Sequence, residues 1–165
     1  MLSDYERIFS HSIPQDGYKY ILPGAIGLLE ALSRTGSLVA LYTGDSPGIV
    51  KAVFKATGLG RYFRFAVYGT EVETRADMVR QAMEKAEKLT GSNFRDKDIV
   101  IIGDSVRDID CGKQFNALTI AVATGFHSEE KLREMEPDYL FKSLEDHSRI
   151  LKAIGVNRVS GKTAQ

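Results

Sequence analysis

The sequence predicts an α/β fold, with a parallel β-sheet covered by helices on both faces. Short apolar runs alternate with segments of helical periodicity, and parallel strands require crossover helices of this kind. Residues 99–102 form a run of four apolar residues, which is typical of a strand buried on both faces. In such sheets ligands bind outside the carboxyl ends of the strands, so functional residues are expected there.

The elements can be assigned in order between residues 23 and 154. Pro23 is expected to start the first core helix, because its missing N–H is not needed at that position. Asp45 is expected to cap the second helix, and residues 74–77 match a capping box for the third. The predicted strands are 37–43, 63–68, 99–102, 118–122 and 138–141. The predicted helices run from Pro23, from the segment 44–47 through Ile49 to near Gly58, from 74 to Gly91, and over 106–115, 129–135 and 144–154.

Composition is that of a single soluble domain. The chain has 165 residues, of which 43% are hydrophobic and 27% charged, and its 22 basic and 22 acidic residues cancel. This balance predicts no binding to nucleic acid or to membranes. No apolar run in the sequence approaches the roughly 20 residues that span a bilayer. The single cysteine, Cys111, fits a reducing compartment, so a cytoplasmic location is expected.

Two aspartates follow the apolar run 99–102. Asp104 comes directly after Gly103 at the predicted carboxyl end of the strand, and Asp108 lies one helical turn later. Mg²⁺ prefers oxygen ligands and is usually held by only one or two carboxylates. The pair therefore predicts a magnesium site, although a turn aspartate followed by a helix-capping aspartate is the simpler alternative.

Two further features lie at predicted junctions between a strand or loop and a helix. Thr43 and Gly44 end a strand, where a hydroxyl and a backbone N–H can both face a phosphate oxygen. Taken alone, the pair is better explained as a turn that ends the strand before the next helix. Arg75 begins a helix, where a cation opposes the helix dipole at a cost of ~0.3–1 kcal/mol. A phosphate-clamping role and a simple solvated arginine are both open at this position.

The remaining polar candidates are interpreted as structural. Asp110 lies further into its helix and is expected to be a solvated or capping charge. The three histidines, His11, His127 and His147, share no spacing and are expected to be structural or exposed. Cys111 has no histidine partner nearby in sequence and is expected to be a buried structural thiol.

Several short motifs, in this order and spacing, resemble the haloacid dehalogenase (HAD) superfamily, and specifically its phosphoglycolate-phosphatase-like hydrolases. The resemblance covers residues 22–154. It is carried by Pro-Gly-Ala at 23–25, Leu-Tyr-Thr-Gly at 41–44, Thr-Gly-Leu-Gly-Arg-Tyr-Phe at 57–63, Gly-Asp-Ser-Val-Arg-Asp at 103–108, Ala-Thr-Gly at 123–125 and Pro-Asp-Tyr-Leu-Phe-Lys-Ser-Leu at 137–144.

The resemblance implies a HAD-like Rossmannoid sheet and a Mg²⁺-dependent hydrolase of a small phosphorylated metabolite. Thr43 would contact the phosphate with help from the Gly44 backbone, and Asp104 and Asp108 would be the magnesium ligands. Arg75 would occupy the place of the family's usual lysine, which keeps the positive charge but changes its geometry.

The family's first motif, Asp-x-Asp after the central strand, is absent from this sequence. It normally supplies the nucleophile and the acid/base. Asp4 and Asp16 are the only aspartates before Pro23, and neither follows an apolar strand. Asp16 with Gly17 is typical of a turn instead.

Three segments are therefore expected. Residues 1–22 resemble the last stretch of a cap or linker, residues 23–154 form the HAD-like core, and residues 155–165 form a flexible tail. Without the central strand, the sheet would have a gap between the strand that ends at Thr43 and the strand that leads to Asp104. A partner segment or self-association would have to fill this gap, and the chain is expected to be a truncated form, poorly stable or oligomeric when isolated.

The favoured function is a HAD-type phosphatase core that is inactive as the isolated chain because it lacks the nucleophile. The alternative is a non-catalytic module of the same fold that binds Mg²⁺ or phosphate or acts as a scaffold. A receiver-like or nucleotide-binding domain is less favoured, since the sequence has neither a Gly-x-Gly-x-x-Gly after the first strand nor a Gly-Lys-Ser/Thr phosphate loop.

Overall fold

The computed structural model describes residues 2–13 and 21–156, which form helices around parallel strands. The strands are β1 (Ala40–Thr43), β2 (Phe65–Tyr68), β3 (Val100–Gly103), β4 (Leu118–Val122) and β5 (Tyr139–Phe141). The α-helices are α1 (Leu2–Ser12), α2 (Ala25–Ser33), α3 (Pro47–Thr57), α4 (Arg75–Thr90), α5 (Val106–Gln114), α6 (Glu129–Glu134) and α7 (His147–Ile154). Short 3₁₀ turns lie at Leu59–Tyr62, Gly69–Glu71 and Asp96–Asp98. The predicted α/β class is confirmed.

Most element boundaries agree with the sequence prediction to within three residues, but α2 and α7 start later than expected and the N-cap of α3 differs. Helix α7 begins at His147 rather than at residue 144. Helix α2 begins at Ala25 rather than at Pro23, with Gly24 as its N-cap at φ 83°. A Cβ at Gly24 would lie 2.3 Å from the backbone carbon of Leu144, so glycine is required there for space as well as for conformation. The prediction that Asp45 caps α3 was wrong. Ser46 is the N-cap, and its hydroxyl accepts a hydrogen bond from the Ile49 N–H.

The strands form two separate parallel sheets. One contains β1 and β2, with Ala40 opposite Phe65 and Thr43 opposite Tyr68. The other has the order β3–β4–β5, with β4 in the middle. Within the described residues no strand joins β1 to β3, and the predicted gap in the sheet is therefore present in the structure.

Helices cover both faces of these strands. Helix α4 contacts β1 and β2, helix α5 contacts β3 and β4, and the two helices contact each other. Helices α2 and α7 lie on the opposite face. They form the main core there, and its buried residues are Leu28, Leu32, Ile120, Phe141, Ile150 and Leu151. A smaller cluster of Ile109, Ala121 and Leu132 fixes α5 and α6 to the first face.

The burial of β3 differs from the prediction. Residues 99–102 were expected to be buried on both faces, yet every residue of β3 is partly exposed. In contrast, β4 is buried from Thr119 to Val122. The difference follows from the strand order, because β4 has a neighbour on each side and β3 has one only on the β4 side.

The segments outside the core are only partly described. Helix α1 packs on α3, and the Ser46 hydroxyl donates a hydrogen bond to the Glu6 carboxylate. The turn predicted at Asp16 and Gly17, and the part of the predicted tail from 157 to 165, lie outside the described residues. In the portion of the chain that is described, no helix has the length and apolar character needed to cross a bilayer.

Candidate functional site

The predicted site residues lie at the carboxyl ends of β1 and β3. Thr43 is the last residue of β1 and Gly44 follows it, while Asp104 follows β3 directly. Arg75 begins α4, and Asp108 lies in the first turn of α5. A Cβ at Gly44 would lie 3.9 Å from Arg75 Nη2, and Arg75 is hydrogen-bonded to Asp108, so these three residues lie close together.

Arg75 and Asp108 are in direct contact. The Arg75 Nη1 donates a hydrogen bond of 2.8 Å to Asp108 Oδ1. The other oxygen of Asp108 accepts hydrogen bonds from the Ser105 N–H at 3.2 Å and from the Ser105 hydroxyl at 2.7 Å. The Ser105 hydroxyl in turn accepts from the Asp108 N–H, which completes a capping box. Both oxygens of this buried carboxylate therefore have protein partners.

Asp104 has a different environment. Its carboxylate lies against Gly125, where a Cβ would approach Oδ2 to 2.2 Å. It is half-buried, and no hydrogen bond or ion pair reaches it from the described residues. A half-buried carboxylate without a protein partner fits a hard cation. The described residues contain no group of three or more His, Cys, Asp or Glu side chains that could hold a metal ion.

Thr43 and Gly44 form an exposed turn. The Asp45 N–H donates a 3.1 Å hydrogen bond to the Thr43 hydroxyl, which itself lies 3.4 Å from the Asp45 carboxylate. A Cβ at Gly44 would lie 3.9 Å from Arg75 Nη2, so this turn adjoins the guanidinium. A Cβ at Gly69 would lie 3.0 Å from the Gly44 Cα, which shows how closely the chain after β2 approaches the turn. No hydrogen bond within the described chain joins Thr43 to Asp104 or Asp108.

Tyr42 lies between these groups. The Arg75 guanidinium lies 5.6 Å from the centre of its ring. Its hydroxyl is buried and has no hydrogen-bond partner among the described residues, although Arg75 and Cys111 are both adjacent to it. Burial raises the pKa of Tyr42 to about 12, against a smaller lowering by Arg75. Burial likewise raises the pKa of the Cys111 thiol, with Arg75 opposing.

The residues interpreted as structural have structural surroundings. Asp110 is exposed and accepts a hydrogen bond from Gln114. A ring nitrogen of His147 lies 2.9 Å from the Gly24 carbonyl, and His11 is exposed on α1. Cys111 is buried and makes no disulfide.

Sequence reasoning missed three residues that shape the site. Ser105 was detectable, because Ser-x-x-Asp is a capping-box pattern and Ser105 with Asp108 fits it. No local pattern marks Gly125 as the neighbour of Asp104, or Tyr42 as the neighbour of Arg75. Those contacts depend on how the loop after β4 and the helix α4 pack, which the sequence spacing alone does not fix.

Comparisons with known proteins agree with the predicted fold class. A family model described as HAD-hydrolase-like matches residues 74–147. A phosphoglycolate phosphatase from Agrobacterium fabrum is 28% identical over 159 residues, covering 94% of this chain and 64% of the relative. A pyrophosphatase PpaX from Listeria welshimeri is 30% identical over 98 residues, covering 59% of this chain and 44% of the relative. This chain thus spans about half to two thirds of the length of these relatives.

Solved structures of phosphatase-like proteins superpose on this chain. A predicted phosphatase from Clostridium acetobutylicum superposes with a TM-score of 0.69 at 26% identity, covering 79% of this chain and 59% of that one. A predicted phosphoglycolate phosphatase from Haemophilus somnus superposes with a TM-score of 0.68 at 20% identity, covering 78% and 56%, and shows the fold. The sequence motifs, the parallel strands and these relatives together support the resemblance of this chain to the haloacid dehalogenase superfamily.

Proposed function

We propose that this chain forms the phosphate-binding and Mg²⁺-binding core of a phosphomonoester hydrolase that acts on a small phosphorylated metabolite. One observation carries the proposal: the Asp104 carboxylate, at the carboxyl end of β3, is half-buried and has no partner among the described residues. A bound cation would balance the negative charge of the Asp104 carboxylate, and a bound phosphate would balance the positive charge of the Arg75 guanidinium.

Each residue has a role in this proposal. The Thr43 hydroxyl and the Gly44 N–H donate hydrogen bonds to phosphate oxygens, and Arg75 supplies the balancing positive charge. Asp104 is the first magnesium ligand. Asp108 joins it as a ligand, and the hydrogen bonds from Ser105 and Arg75 hold its carboxylate in place until the metal binds. The bound Mg²⁺ would neutralise charge on the phosphoryl oxygens.

The isolated chain is expected not to turn over substrate. Asp104 and Asp108 are assigned to the metal, and Asp45 is exposed, with its carboxylate 3.4 Å from the Thr43 hydroxyl. In the part of the chain that is described, no other carboxylate directly follows a strand at this site, where it could act as the nucleophile. The proposal includes a cytoplasmic location, where the Cys111 thiol stays reduced.

Mg²⁺ titration by calorimetry tests the metal site. The unsubstituted chain should bind Mg²⁺, and Asp104→Asn should lose at least tenfold in affinity. Asp110→Asn is the matched control, because Asp110 is an exposed aspartate of the same segment and should leave the affinity unchanged. Equal affinities in all three proteins would remove Asp104 from the site. Hydrolysis of p-nitrophenyl phosphate by the isolated chain with Mg²⁺ would contradict its proposed inactivity.

A non-catalytic module that binds Mg²⁺ or phosphate is the second candidate. The division of the strands into two sheets favours it, since nothing described between β1 and β3 positions a nucleophile. The nucleotide sequence upstream of the Met1 codon distinguishes the two. An open frame that encodes an apolar strand followed by Asp-x-Asp supports the hydrolase, whereas an in-frame stop close to Met1 supports the binding module.

A further inference from the structure

Tyr42 carries a polar group that has no role in the proposed phosphate or metal site. Its hydroxyl is buried and has no hydrogen-bond partner among the described residues. A buried polar atom without a partner is costly, and most such atoms in folded proteins have at least one partner. Tyr42 belongs to β1 and directly precedes Thr43, so the strand that carries this hydroxyl also leads to the proposed phosphate-binding turn.

Arg75 is adjacent to the Tyr42 hydroxyl. The centre of its guanidinium lies 5.6 Å from the centre of the Tyr42 ring. Burial raises the pKa of Tyr42 to about 12, and Arg75 opposes this with a smaller lowering, as expected for a neighbouring cation. The other neighbour of the hydroxyl is the Cys111 thiol, which is only a weak donor and acceptor. Arg75 is therefore the stronger candidate donor to the Tyr42 oxygen.

The Arg75 guanidinium is held by a different acceptor in this geometry. Its Nη1 donates to Asp108 Oδ1 at 2.8 Å, and a Cβ at Gly44 would lie 3.9 Å from its Nη2. A guanidinium keeps its charge at any ordinary pH and has N–H donors in a rigid fork. If Nη1 leaves Asp108, it therefore needs another acceptor, and the Tyr42 oxygen is adjacent and unpaired.

Asp108 provides a reason for Arg75 to move. Under the proposed function Asp108 is a magnesium ligand, and its Oδ2 already accepts two hydrogen bonds from Ser105. The remaining oxygen, Oδ1, is the one that holds Arg75. Two cations on one carboxylate oxygen repel each other, and the repulsion is strong where the carboxylate is buried. Arg75 therefore has to leave Oδ1 when Asp108 joins the metal site.

We propose that the Tyr42 hydroxyl is the second acceptor for Arg75 and receives the guanidinium when Asp108 becomes a magnesium ligand. This inference rests on the proposed function. The move takes Arg75 away from α5 and towards β1, the strand that ends at Thr43 and Gly44. Tyr42 is thus a positioning residue that acts through Arg75. Mg²⁺ and phosphate then favour each other's binding, since each binds better once Arg75 has left Asp108.

A double-mutant cycle on Mg²⁺ affinity, measured by calorimetry on the full chain, tests the proposal. Tyr42→Phe removes the second acceptor and should lower the Mg²⁺ affinity at least fivefold, because Arg75 then stays on Asp108. In an Arg75→Met background the same substitution should have no effect, since no guanidinium has to move. Cys111→Ala is the matched control, because it removes the other neighbour of the hydroxyl and should leave the affinity unchanged.

Two further measurements do not depend on the Arg75 variant, which is expected to be less stable. Mg²⁺ should change the near-ultraviolet absorption of a tyrosine in the unsubstituted chain, and this change should be absent from Tyr42→Phe. Tyr139→Phe, at an exposed tyrosine of β5, should retain it. Inorganic phosphate should bind the chain in saturating Mg²⁺ at least fivefold more weakly after Tyr42→Phe.

The outcomes separate this inference from the proposed function. A chain that binds no Mg²⁺ would overturn both. Mg²⁺ binding that Asp104→Asn weakens and Tyr42→Phe leaves unchanged would overturn the inference alone. An equal loss from Tyr42→Phe in the Arg75→Met background, or the same loss in Cys111→Ala, would mean that the hydroxyl does not act through Arg75. An absorption change that persists in Tyr42→Phe would assign the response to another tyrosine and would also overturn the inference.

Discussion

Arg75 Nη1 lies 2.8 Å from Asp108 Oδ1, and this hydrogen bond connects helices that cover two different sheets. The Asp108 side chain is 11% exposed and that of Arg75 is 34% exposed, so the pair is shielded more than an ordinary surface ion pair. The Asp108 carboxylate also forms the capping box of α5 with Ser105. The pair therefore contributes to the fold as well as to the proposed phosphate site.

Replacing Arg75 by methionine is expected to lower the free energy of unfolding by about 1–3 kcal/mol, because the buried Asp108 carboxylate loses a charged partner. Urea unfolding measures the change. Arg133→Met is the matched control, since Arg133 pairs with Glu129 on the exposed surface of α6. Exposed helical pairs contribute about 0.3–0.5 kcal/mol, so the control should change little. Equal losses in the two variants would contradict a special role for the Arg75–Asp108 pair.

The sequence predicted element types well because the apolar runs and the helix caps are local signals. The capping box of α4 and the full extent of β4 both follow from adjacent residues. The burial of β3 was not predictable in the same way. A run such as residues 99–102 indicates which positions are apolar, but whether they are covered depends on a neighbouring strand.

The membership of the candidate site stays a prediction, and the sequence did not predict its contacts. In the structure Arg75 is hydrogen-bonded to Asp108 and adjoins the turn at Gly44. The sequence did not show that Asp108 has protein partners on both oxygens while Asp104 has none among the described residues. That difference arises from the packing of α4 against α5 and of the loop at Gly125 against β3, which involves residues far apart in the chain.

A methyl group at Gly125 is expected to disturb the Mg²⁺ site. The Cβ of Gly125→Ala would lie 2.2 Å from Asp104 Oδ2, so the carboxylate has to move. Calorimetric Mg²⁺ affinity should fall at least tenfold while the unfolding midpoint in urea changes little. Phe126→Ala controls for a general change in this loop, because Phe126 is 98% exposed and should leave the affinity unaltered. Unchanged affinity in Gly125→Ala would separate Asp104 from the metal.

Removing the Tyr42 hydroxyl is expected to leave the protein as stable or to stabilise it by up to about 1 kcal/mol, because a buried polar atom without a partner carries a desolvation cost. Urea unfolding of Tyr42→Phe at pH 8 measures this. Tyr139→Phe, on an exposed residue of β5, is the control. A loss well above 1 kcal/mol would show that the hydroxyl makes a hydrogen bond, to Arg75 or to Cys111.

The stability of Tyr42→Phe is also expected to depend less on alkaline pH than that of the unsubstituted chain. Burial raises the pKa of Tyr42 to about 12 in the folded chain, whereas an unfolded tyrosine has a pKa of about 10. Because the folded chain keeps the hydroxyl protonated while the unfolded tyrosine ionises, this group lowers the stability of the protein as the pH rises from 10 to about 12 and causes no such loss below pH 10. Tyr42→Phe should lose less stability than the unsubstituted chain between pH 10 and 12. Parallel losses in both proteins would contradict the raised pKa.

Asp138 offers a test at acidic pH, because it ties the start of β5 to β4. Its carboxylate accepts hydrogen bonds from the Thr119 N–H at 2.8 Å and the Thr119 hydroxyl at 2.9 Å, and from Lys97 Nζ at 2.9 Å. Burial alone would raise the pKa of Asp138, but the hydrogen bonds from Thr119 and Lys97 together lower it. The folded state therefore favours the ionised carboxylate more than the unfolded chain does.

Asp138→Asn should consequently be less stable than the unsubstituted chain by about 1–2 kcal/mol at pH 7, a figure that allows for the partly exposed side chain. The contribution of the carboxylate is present above its unfolded pKa of about 4 and is lost as the pH falls through the lower folded pKa. Urea unfolding from pH 7 to pH 3 should therefore show the difference shrinking below about pH 4, with exposed Asp110→Asn as a control that shows no such change. A difference that stays constant down to pH 3 would mean that Asp138 acts through the shape of its side chain, because the loss of its charge would then have had no effect on stability.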